Sequence, residues 1–239
     1  MLFIKKNKFI NNNITSIHQP DFIPYFGFFN KINKSDIYVV MDNVQLSKSG
    51  WTHRDKIKTS KEVSWITIPI KNIKKKQLIK DCLIDHDINW KKKHINMISE
   101  NYKNSKFINE GIEIINDLYK LNTNYLFEFN FNIINKLFEI FKINVDIKLL
   151  SQINVDGDKS ELLIKILKKI NSNLYLSGDG AKNFIDIDLF RYNNIEIIFN
   201  NFKHPIYEQI NGNFVKNLSI LDIILNCGIT ETEKLIKNA

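Results

Sequence analysis

The spacing of apolar residues predicts a chain that alternates between short strands and amphipathic helices. Residues 14–17 form a β-like run that Pro20 ends, and residues 36–41 form a continuous apolar run. An unbroken run of this kind is typical of a strand that is buried on both faces. Between the two runs, Phe28 and Ile32 recur at helical spacing. Strand, helix and strand in such close succession predict a βαβ unit with parallel strands.

The rest of the chain continues both patterns. Strands are predicted at residues 63–70, 145–149, 174–176 and 195–199, and helices at residues 87–141, 158–170 and 220–225. The first ten or so residues are polar and basic and are expected to be a loose lead-in. The whole chain, residues 1–239, is therefore predicted to be a single α/β domain. Its mostly parallel sheet of about five strands is flanked by helices, and residues 87–142 are expected to be a helical insertion or cap.

The composition is that of a globular protein. The 239 residues are 44% hydrophobic and 25% charged, which excludes wholesale disorder and low-complexity scaffolds. The net charge of +8 favours anionic partners such as nucleotides, nucleic acids, anionic sugars or membrane headgroups. Lys, Asn and Ile are abundant throughout, however, as in low-GC coding sequences, and this bias raises the lysine count without a functional cause.

The cysteines and the apolar runs indicate where the protein works. Cys82 and Cys227 are far apart and neither has a second cysteine at metal or redox spacing, which argues against a disulfide framework and a zinc ribbon. No apolar run approaches the roughly 20 residues that a membrane span needs, and no signal peptide is recognisable. We expect a cytoplasmic protein without membrane insertion and predict no metal site.

Residues 18–27 carry the strongest indication of chemistry. They follow the first predicted strand, at the sheet edge where open α/β folds bind ligands. His18 is predicted to lie at the strand tip, where an imidazole can move protons near neutral pH. Asp42 ends the second strand and is predicted to orient His18. The alternatives are a structural role for His18 and an Asx turn at Asp42.

A polar loop at residues 45–58 holds further binding candidates. Arg54 is suited to grip a phosphate or carboxylate with two hydrogen bonds, and Trp51 to stack on a base or sugar ring. Gln45 begins this loop. The alternative interpretation is a solvated surface loop.

Two later loops follow predicted strands. Residues 177–181 contain two glycines and are expected to open a helix, so Ser177 and Gly178 are candidates for contact with an anionic group. Tyr207 and Gln209 lie in the other loop and are suited to line a pocket or, alternatively, to face solvent.

Lysine runs at residues 74–76 and 91–93 keep a nucleic-acid interpretation open, although such runs are usually solvated faces. His94 follows the second run and shares a helix face with Trp90. Packing is the simpler role for this pair, and a substrate contact of His94 is the alternative.

Motifs from about residue 14 to residue 228 resemble the WbqC-like protein family. The resemblance is carried by His18-Gln19-Pro20-Asp21, Pro24, Gly27, Lys31, Asp36, Asp42, Gln45, Trp51, Arg54, Trp90-Lys91, His94, Tyr102, Tyr175-Leu176-Ser177-Gly178, Ala181, Pro205, Tyr207, Gln209, Leu218-Ser219, Asp222, Asn226 and Gly228. One departure lies beside Arg54, where His53 and Asp55 stand in place of the amide residues expected there.

The resemblance implies a role in bacterial surface polysaccharide (O-antigen) biosynthesis. We expect a transferase that attaches glycine or another small acyl group to the amine of a nucleotide-linked amino sugar. In this interpretation His18 is the general base, Lys31 and Arg54 hold phosphate or carboxylate, and Gln19 contacts substrate.

Two alternatives stay open. A His-bearing loop after the first strand is loosely similar to the nucleotidyl-transferase and synthetase fold, which would imply ATP use. The other alternative is a non-catalytic module that binds tRNA or a glycan, and an aminoacyl-tRNA donor would merge it with the transferase.

Overall fold

The computed structural model describes residues 13–239, and the expected lead-in lies outside them. In chain order the elements are β1 (Ile14–His18), α1 (Phe26–Asn33), β2 (Ile37–Val40), β3 (Arg54–Lys58), β4 (Val63–Thr67), β5 (Ile70–Lys71), β6 (Leu83–Ile84), α2 (Trp90–Asn101), α3 (Ile108–Leu118), α4 (Leu126–Ile140), β7 (Asp146–Leu149), α5 (Leu150–Ile153), α6 (Lys159–Lys169), β8 (Leu174–Ser177), α7 (Ile187–Tyr192), β9 (Glu196–Phe199) and α8 (Ile220–Asn238).

Five of these strands form a parallel sheet in the order β7-β2-β1-β8-β9. The predicted α/β fold with a parallel sheet is confirmed. The chain runs outward from β1 through β2 to β7, then returns to the other side of β1 for β8 and β9. The strand order therefore reverses between β1 and β8. Crevices at such a switch point are where open α/β sheets bind ligands.

The continuous apolar run of β2 explains how the sheet divides the molecule. All four residues of β2 are buried. Tyr38 and Val40 pack in one hydrophobic core, whereas Ile37 and Val39 pack in a second core on the opposite face. The first core includes α1, α2, α3, α4 and α8, and the second includes α5, α6 and α7. A strand covered on both faces needs apolar side chains at every position.

Helices α2 to α4 are not confirmed as an insertion or cap. Ile98, Ile115 and Phe129, one from each helix, are fully or almost fully buried in the same core as Phe29 of α1 and Ile224 of α8. The predicted helical stretch is real, but its apolar faces form part of the main core. Within the described residues, no helix combines the length and hydropathy needed to cross a membrane.

The polar loop predicted at residues 45–58 ends in a strand. Here β3 pairs in antiparallel register with β4, outside the central sheet. The predicted strand at residues 63–70 is therefore half of a hairpin. The sequence does not predict the partner strand β3, because β3 reads Arg-Asp-Lys-Ile-Lys and a charged residue, Asp55, occupies a buried position beside Ile57.

The last predicted helix is confirmed at its start and extends further than expected. The Ser219 side chain accepts the N–H of Leu221 at 3.4 Å and so caps α8. Gly228 adopts φ +81°, which interrupts the helix beyond the predicted residues 220–225, but the helix resumes and continues to Asn238.

Candidate functional site

A pocket of about 590 Å³ opens at the carboxyl edge of the sheet, beside the switch point. His18 at the end of β1 and Ser177 at the end of β8 line it from the sheet, and Lys31 lines it from α1. Gly27 and Phe28 lie one helical turn before Lys31 and line the same pocket. Strand β1, the loop after it and helix α1 therefore surround one cavity.

The His18 imidazole is held at the pocket wall by its own loop. Its Nδ1 lies 3.0 Å from the Gln19 carbonyl oxygen and 3.6 Å from Asp21 Oδ2. The ring also packs edge-on against Phe28, with 5.3 Å between ring centroids. Burial and the charge of Lys31 lower the pKa of His18 to about 3. The imidazole is therefore neutral at pH 7. A carbonyl oxygen only accepts, so Nδ1 carries the proton and Nε2 is an acceptor.

Lys31 is a buried cation without an anionic partner in the described part of the chain. Its residue is 4% exposed, and no carboxylate there lies within 4 Å of its ammonium. Burial lowers the pKa of Lys31 to about 8, and the charge of Asp21 opposes that shift. The ammonium is thus largely charged at pH 7. Buried charges in proteins are normally paired, so this arrangement fits an anionic group supplied by a ligand.

Two buried carboxyl groups line the same pocket, and neither was among the predicted site residues. Asp21 is 8% exposed and accepts the Thr52 hydroxyl at 3.4 Å; burial raises the pKa of Asp21 to about 7. Asp55 is 1% exposed, and burial, together with the negative charge of Asp21, raises the pKa of Asp55 well above its usual range. The signals in the sequence were the His-Gln-Pro-Asp motif and the departure at Asp55.

Asp42 does not orient His18 as predicted. Its Oδ1 accepts the backbone N–H of Ser151 at 2.9 Å, and the carboxylate that reaches the imidazole is that of Asp21. Ser151 lies in the first turn of α5, where free N–H groups attract a negative charge. The side chain is buried there, away from the residues that line the pocket.

Trp51 and Arg54 are separated by the structure. Trp51 lines the pocket and is 40% exposed, and its ring lies 5.2 Å from that of Trp65 on β4. Arg54 is not among the pocket-lining residues. Its guanidinium donates to the Ser49 carbonyl at 3.0 Å and stacks over Trp65 at 4.1 Å. It therefore fixes the loop that carries Trp51.

Two of the three glutamines predicted to bind substrate, Gln19 and Gln45, tie loops together or face solvent and do not line the pocket. Gln19 accepts the Thr52 hydroxyl at 3.1 Å and so ties the His18 loop to the Trp51 loop. The buried Asn130 joins the same two segments, because its Nδ2 donates to the carbonyls of Pro20 at 2.8 Å and Thr52 at 2.6 Å. Gln45 is exposed and forms a β-bridge with Leu78.

His94 lies in the first core and does not line the pocket. Its Nε2 accepts the N–H of Thr67 at 3.0 Å, and its Nδ1 lies 3.0 Å from the Tyr119 hydroxyl. The ring packs against Trp90 and Phe22, and burial lowers the pKa of His94 to about 4. These contacts satisfy both ring nitrogens, as expected of a structural histidine.

Ser177 and Gly178 line the pocket, but the expected helix does not start beside them. The segment forms a single 3₁₀ turn at Asp179–Ala181, and α7 begins only at Ile187. No atom lies within 4 Å of where a Cβ of Gly178 would be, so its backbone is open to a ligand.

Residues 200–218, here called the closing segment, contain no helix or strand and cover one side of the pocket. Five of them face it, namely Asn200, Phe202, His204, Lys216 and Asn217. Tyr207 and Gln209 do not. Instead, the Tyr207 hydroxyl and Gln209 Nε2 donate to Asp222 Oδ2 at 2.6 and 2.8 Å. The two predicted binding residues thus anchor the segment that lines the pocket.

The anchor itself is buried on α8. Asp222 is fully buried, and its other oxygen accepts the Tyr102 hydroxyl at 2.6 Å. Lys58 completes the network, because its ammonium donates to the carbonyls of Gly212 at 3.0 Å and Asn213 at 2.6 Å. Lys58 of β3, Tyr102 at the C-terminal end of α2 and Asp222 of α8 therefore hold the closing segment in place.

The described residues contain no group of three or more His, Cys, Asp or Glu side chains that could hold a metal ion.

The strand order and the position of the pocket together define the type of fold. Numbered along the chain, the sheet strands have the order 3-2-1-4-5, which is a Rossmann-type order, and the pocket lies at its switch point. The chain belongs to the WbqC-like protein family, whose model matches residues 19–234. It is 28% identical over 218 residues to the uncharacterized protein Rv1507c of Mycobacterium tuberculosis, covering 89% of this chain and 93% of that protein. Comparison with solved structures gives no significant match.

Proposed function

We propose that this protein is a transferase of bacterial surface polysaccharide biosynthesis. It binds a nucleotide-linked amino sugar in the pocket and attaches glycine or another small acyl group to the sugar amine. The observation that carries the proposal is Lys31, a buried ammonium that lines the pocket without an anionic partner in residues 13–239. A phosphate of the substrate would supply that partner, and Trp51 at the pocket would contact the sugar or base.

The reaction needs a group that removes a proton from the attacking amine. The amine nitrogen forms a bond to the acyl carbonyl carbon, the donor's leaving group departs, and the proton passes to the His18–Asp21 pair. Catalysis is most effective when the proton carrier has a pKa near the working pH. Burial brings the pKa of Asp21 to about 7, whereas the pKa of His18 is about 3. We therefore assign the proton to Asp21 and expect His18 to position the amine through Nε2.

A ligand panel tests the proposal. We would measure the melting of the protein with a UDP-linked amino sugar, ATP with magnesium, glycine and bulk tRNA. A ligand at 100 times its Kd stabilises by about 2.7 kcal/mol, and we expect this for the nucleotide sugar. Lys31→Met should lose the stabilisation, while the control Lys34→Met, an exposed lysine three residues further on, should keep it.

Three outcomes would change the assignment. Equal stabilisation of Lys31→Met and the unaltered protein would remove the anion-binding role. Stabilisation by tRNA alone, unchanged in His18→Ala, would favour the binding module. A His18→Ala variant that folds and retains full transferase activity would remove His18 from the chemistry.

A second candidate, an enzyme that uses ATP to activate the acyl donor, is favoured by the strand order. Dinucleotide-binding sheets have this order and bind phosphates at the same switch point. Their glycine-rich phosphate loop after the first strand is absent here, because His18-Gln19-Pro20-Asp21 follows β1. Lys31 would have to supply the phosphate contact, so stabilisation by ATP that Lys31→Met removes would support this candidate.

A further inference from the structure

We propose that Asp21 and Asp55 form an amine-binding subsite and that the pocket recognises a ligand carrying a cationic amine and an anionic group together. This inference rests on the proposed function, which requires a sugar amine in this pocket. The juxtaposition behind it is that two buried carboxyl groups and one buried ammonium line a single cavity, yet Lys31 forms no ion pair with either carboxyl group.

Asp55 has no close cation among residues 13–239. Its carboxylate Oδ1 accepts a hydrogen bond of 2.6 Å from the backbone N–H of Lys56. The Lys56 side chain projects to the other face of β3, where its ammonium lies 4.8 Å from the Trp65 ring and 5.2 Å from the Trp51 ring. It forms no salt bridge with Asp55, although its charge still acts on that carboxyl from a distance.

Among the same residues, Asp21 has no permanently charged partner at close range either. The basic group within 4 Å of it, in the part of the chain that the structure describes, is His18 at 3.6 Å. This imidazole is neutral near pH 7 because burial lowers the pKa of His18 to about 3. The charge of Asp21 acts on Asp55, so one cationic amine placed near both carboxyl groups would stabilise the ionised form of each.

Buried ions that share a cavity ordinarily pair, since an unpaired buried charge is costly. Lys31 acts on Asp21 only through its field, with no salt bridge between them. Lys31 and the two carboxyl groups therefore line one cavity without forming a direct ion pair. A ligand with an ammonium at one end and a phosphate at the other would satisfy both sides at once. A purely anionic ligand would satisfy only Lys31, and a neutral ligand would pair with neither charge.

Calorimetric titration of three sugar phosphates tests the subsite. Glucosamine 1-phosphate carries an amine where glucose 1-phosphate has a hydroxyl and N-acetylglucosamine 1-phosphate has an acetamide. We expect the Kd of the amine to be about tenfold lower than that of the hydroxyl compound. Asp55→Asn should bring the two Kd values within about twofold by raising only that of the amine.

The matched control is Asp179→Asn. This carboxylate also lines the pocket, but it already pairs with Lys182 at 2.7 Å. The variant should therefore preserve the preference for the amine. If the unaltered protein binds the amine and hydroxyl compounds equally, the amine subsite is refuted, while binding that Lys31→Met abolishes still supports the proposed function.

A second pair of compounds tests the amine subsite independently of whether the substrate is a sugar. Phosphoethanolamine and 2-hydroxyethyl phosphate differ only in the amine and contain no sugar. If no sugar phosphate binds, the proposed sugar substrate fails, and a preference for phosphoethanolamine would still support the subsite. In that case, equal affinity for phosphoethanolamine and 2-hydroxyethyl phosphate, or no binding of either, would overturn the subsite.

Discussion

Replacing Asp21 by asparagine should change how stability depends on pH. Burial raises the pKa of Asp21 from 3.8 to about 7, so the folded protein holds this proton more tightly than the unfolded chain. The stabilising contribution of the Asp21 proton is therefore fully present below pH 3.8 and is lost as the pH rises through 7. The loss is about 1.4 kcal/mol per pH unit between these limits. Between pH 5 and pH 8 the titration of Asp21 lowers the free energy of unfolding by about 3 kcal/mol. Asparagine does not titrate, so the variant does not undergo this loss.

Urea unfolding, followed by tryptophan fluorescence, measures this effect. The free energy of unfolding of Asp21→Asn, relative to the unaltered protein, should rise by about 3 kcal/mol between pH 5 and pH 8. Asp117→Asn is the control. Lys136 and Lys120 lower the pKa of Asp117, so this group is ionised in both states throughout that range. A change below about 1 kcal/mol for Asp21→Asn would refute the assignment of a carboxyl group that titrates near neutral pH.

Three further predictions concern packing and the closing segment. Gly111→Ala should lower the free energy of unfolding in urea by about 1–3 kcal/mol, because its Cβ would lie 2.3 Å from Leu225 Cδ2; unchanged stability would contradict that packing. Tyr207→Phe removes a hydroxyl that donates to Asp222, so limited proteolysis should cut residues 200–218 faster, and an unchanged cleavage rate would argue against the anchor. Gly178→Ala should melt at an unchanged temperature, since its surroundings are open, but should weaken ligand binding in the panel above; unchanged affinity would place the ligand elsewhere.

The sequence predicts strand β2 of the central sheet readily, because all four of its residues are apolar. A strand such as β2 is covered on both faces, so every position is buried and the run is unmistakable. Strand β3 is different, because it belongs to a two-stranded hairpin and carries four charged residues among five. Local composition does not reveal that Asp55 is buried, since that depends on packing contributed by distant parts of the chain.

The candidate site shows the same limit. The position of His18 at the tip of β1 follows from the motif and the parallel fold, and the pocket does lie there. The partner of His18 does not follow, because two strand tips can be adjacent while their side chains point apart. Asp42 points to the first turn of α5, and the nearer Asp21 reaches the imidazole. The anchoring role of Tyr207 depends on its hydrogen bond to Asp222 of α8, and this contact is formed only when the chain is folded.

The order in which the pocket residues appear along the chain has a consequence for synthesis on the ribosome. His18, Lys31 and Asp55 are made early, whereas β8 and the closing segment emerge much later. Until then the early residues have no opposite wall, and their charges remain hydrated. The nascent chain therefore avoids the cost of unpaired buried charges until its last third is translated. The proposed ligand would meet a complete cavity only after β8 and the closing segment have been made, since about half of the residues that line the cavity belong to them or lie between them.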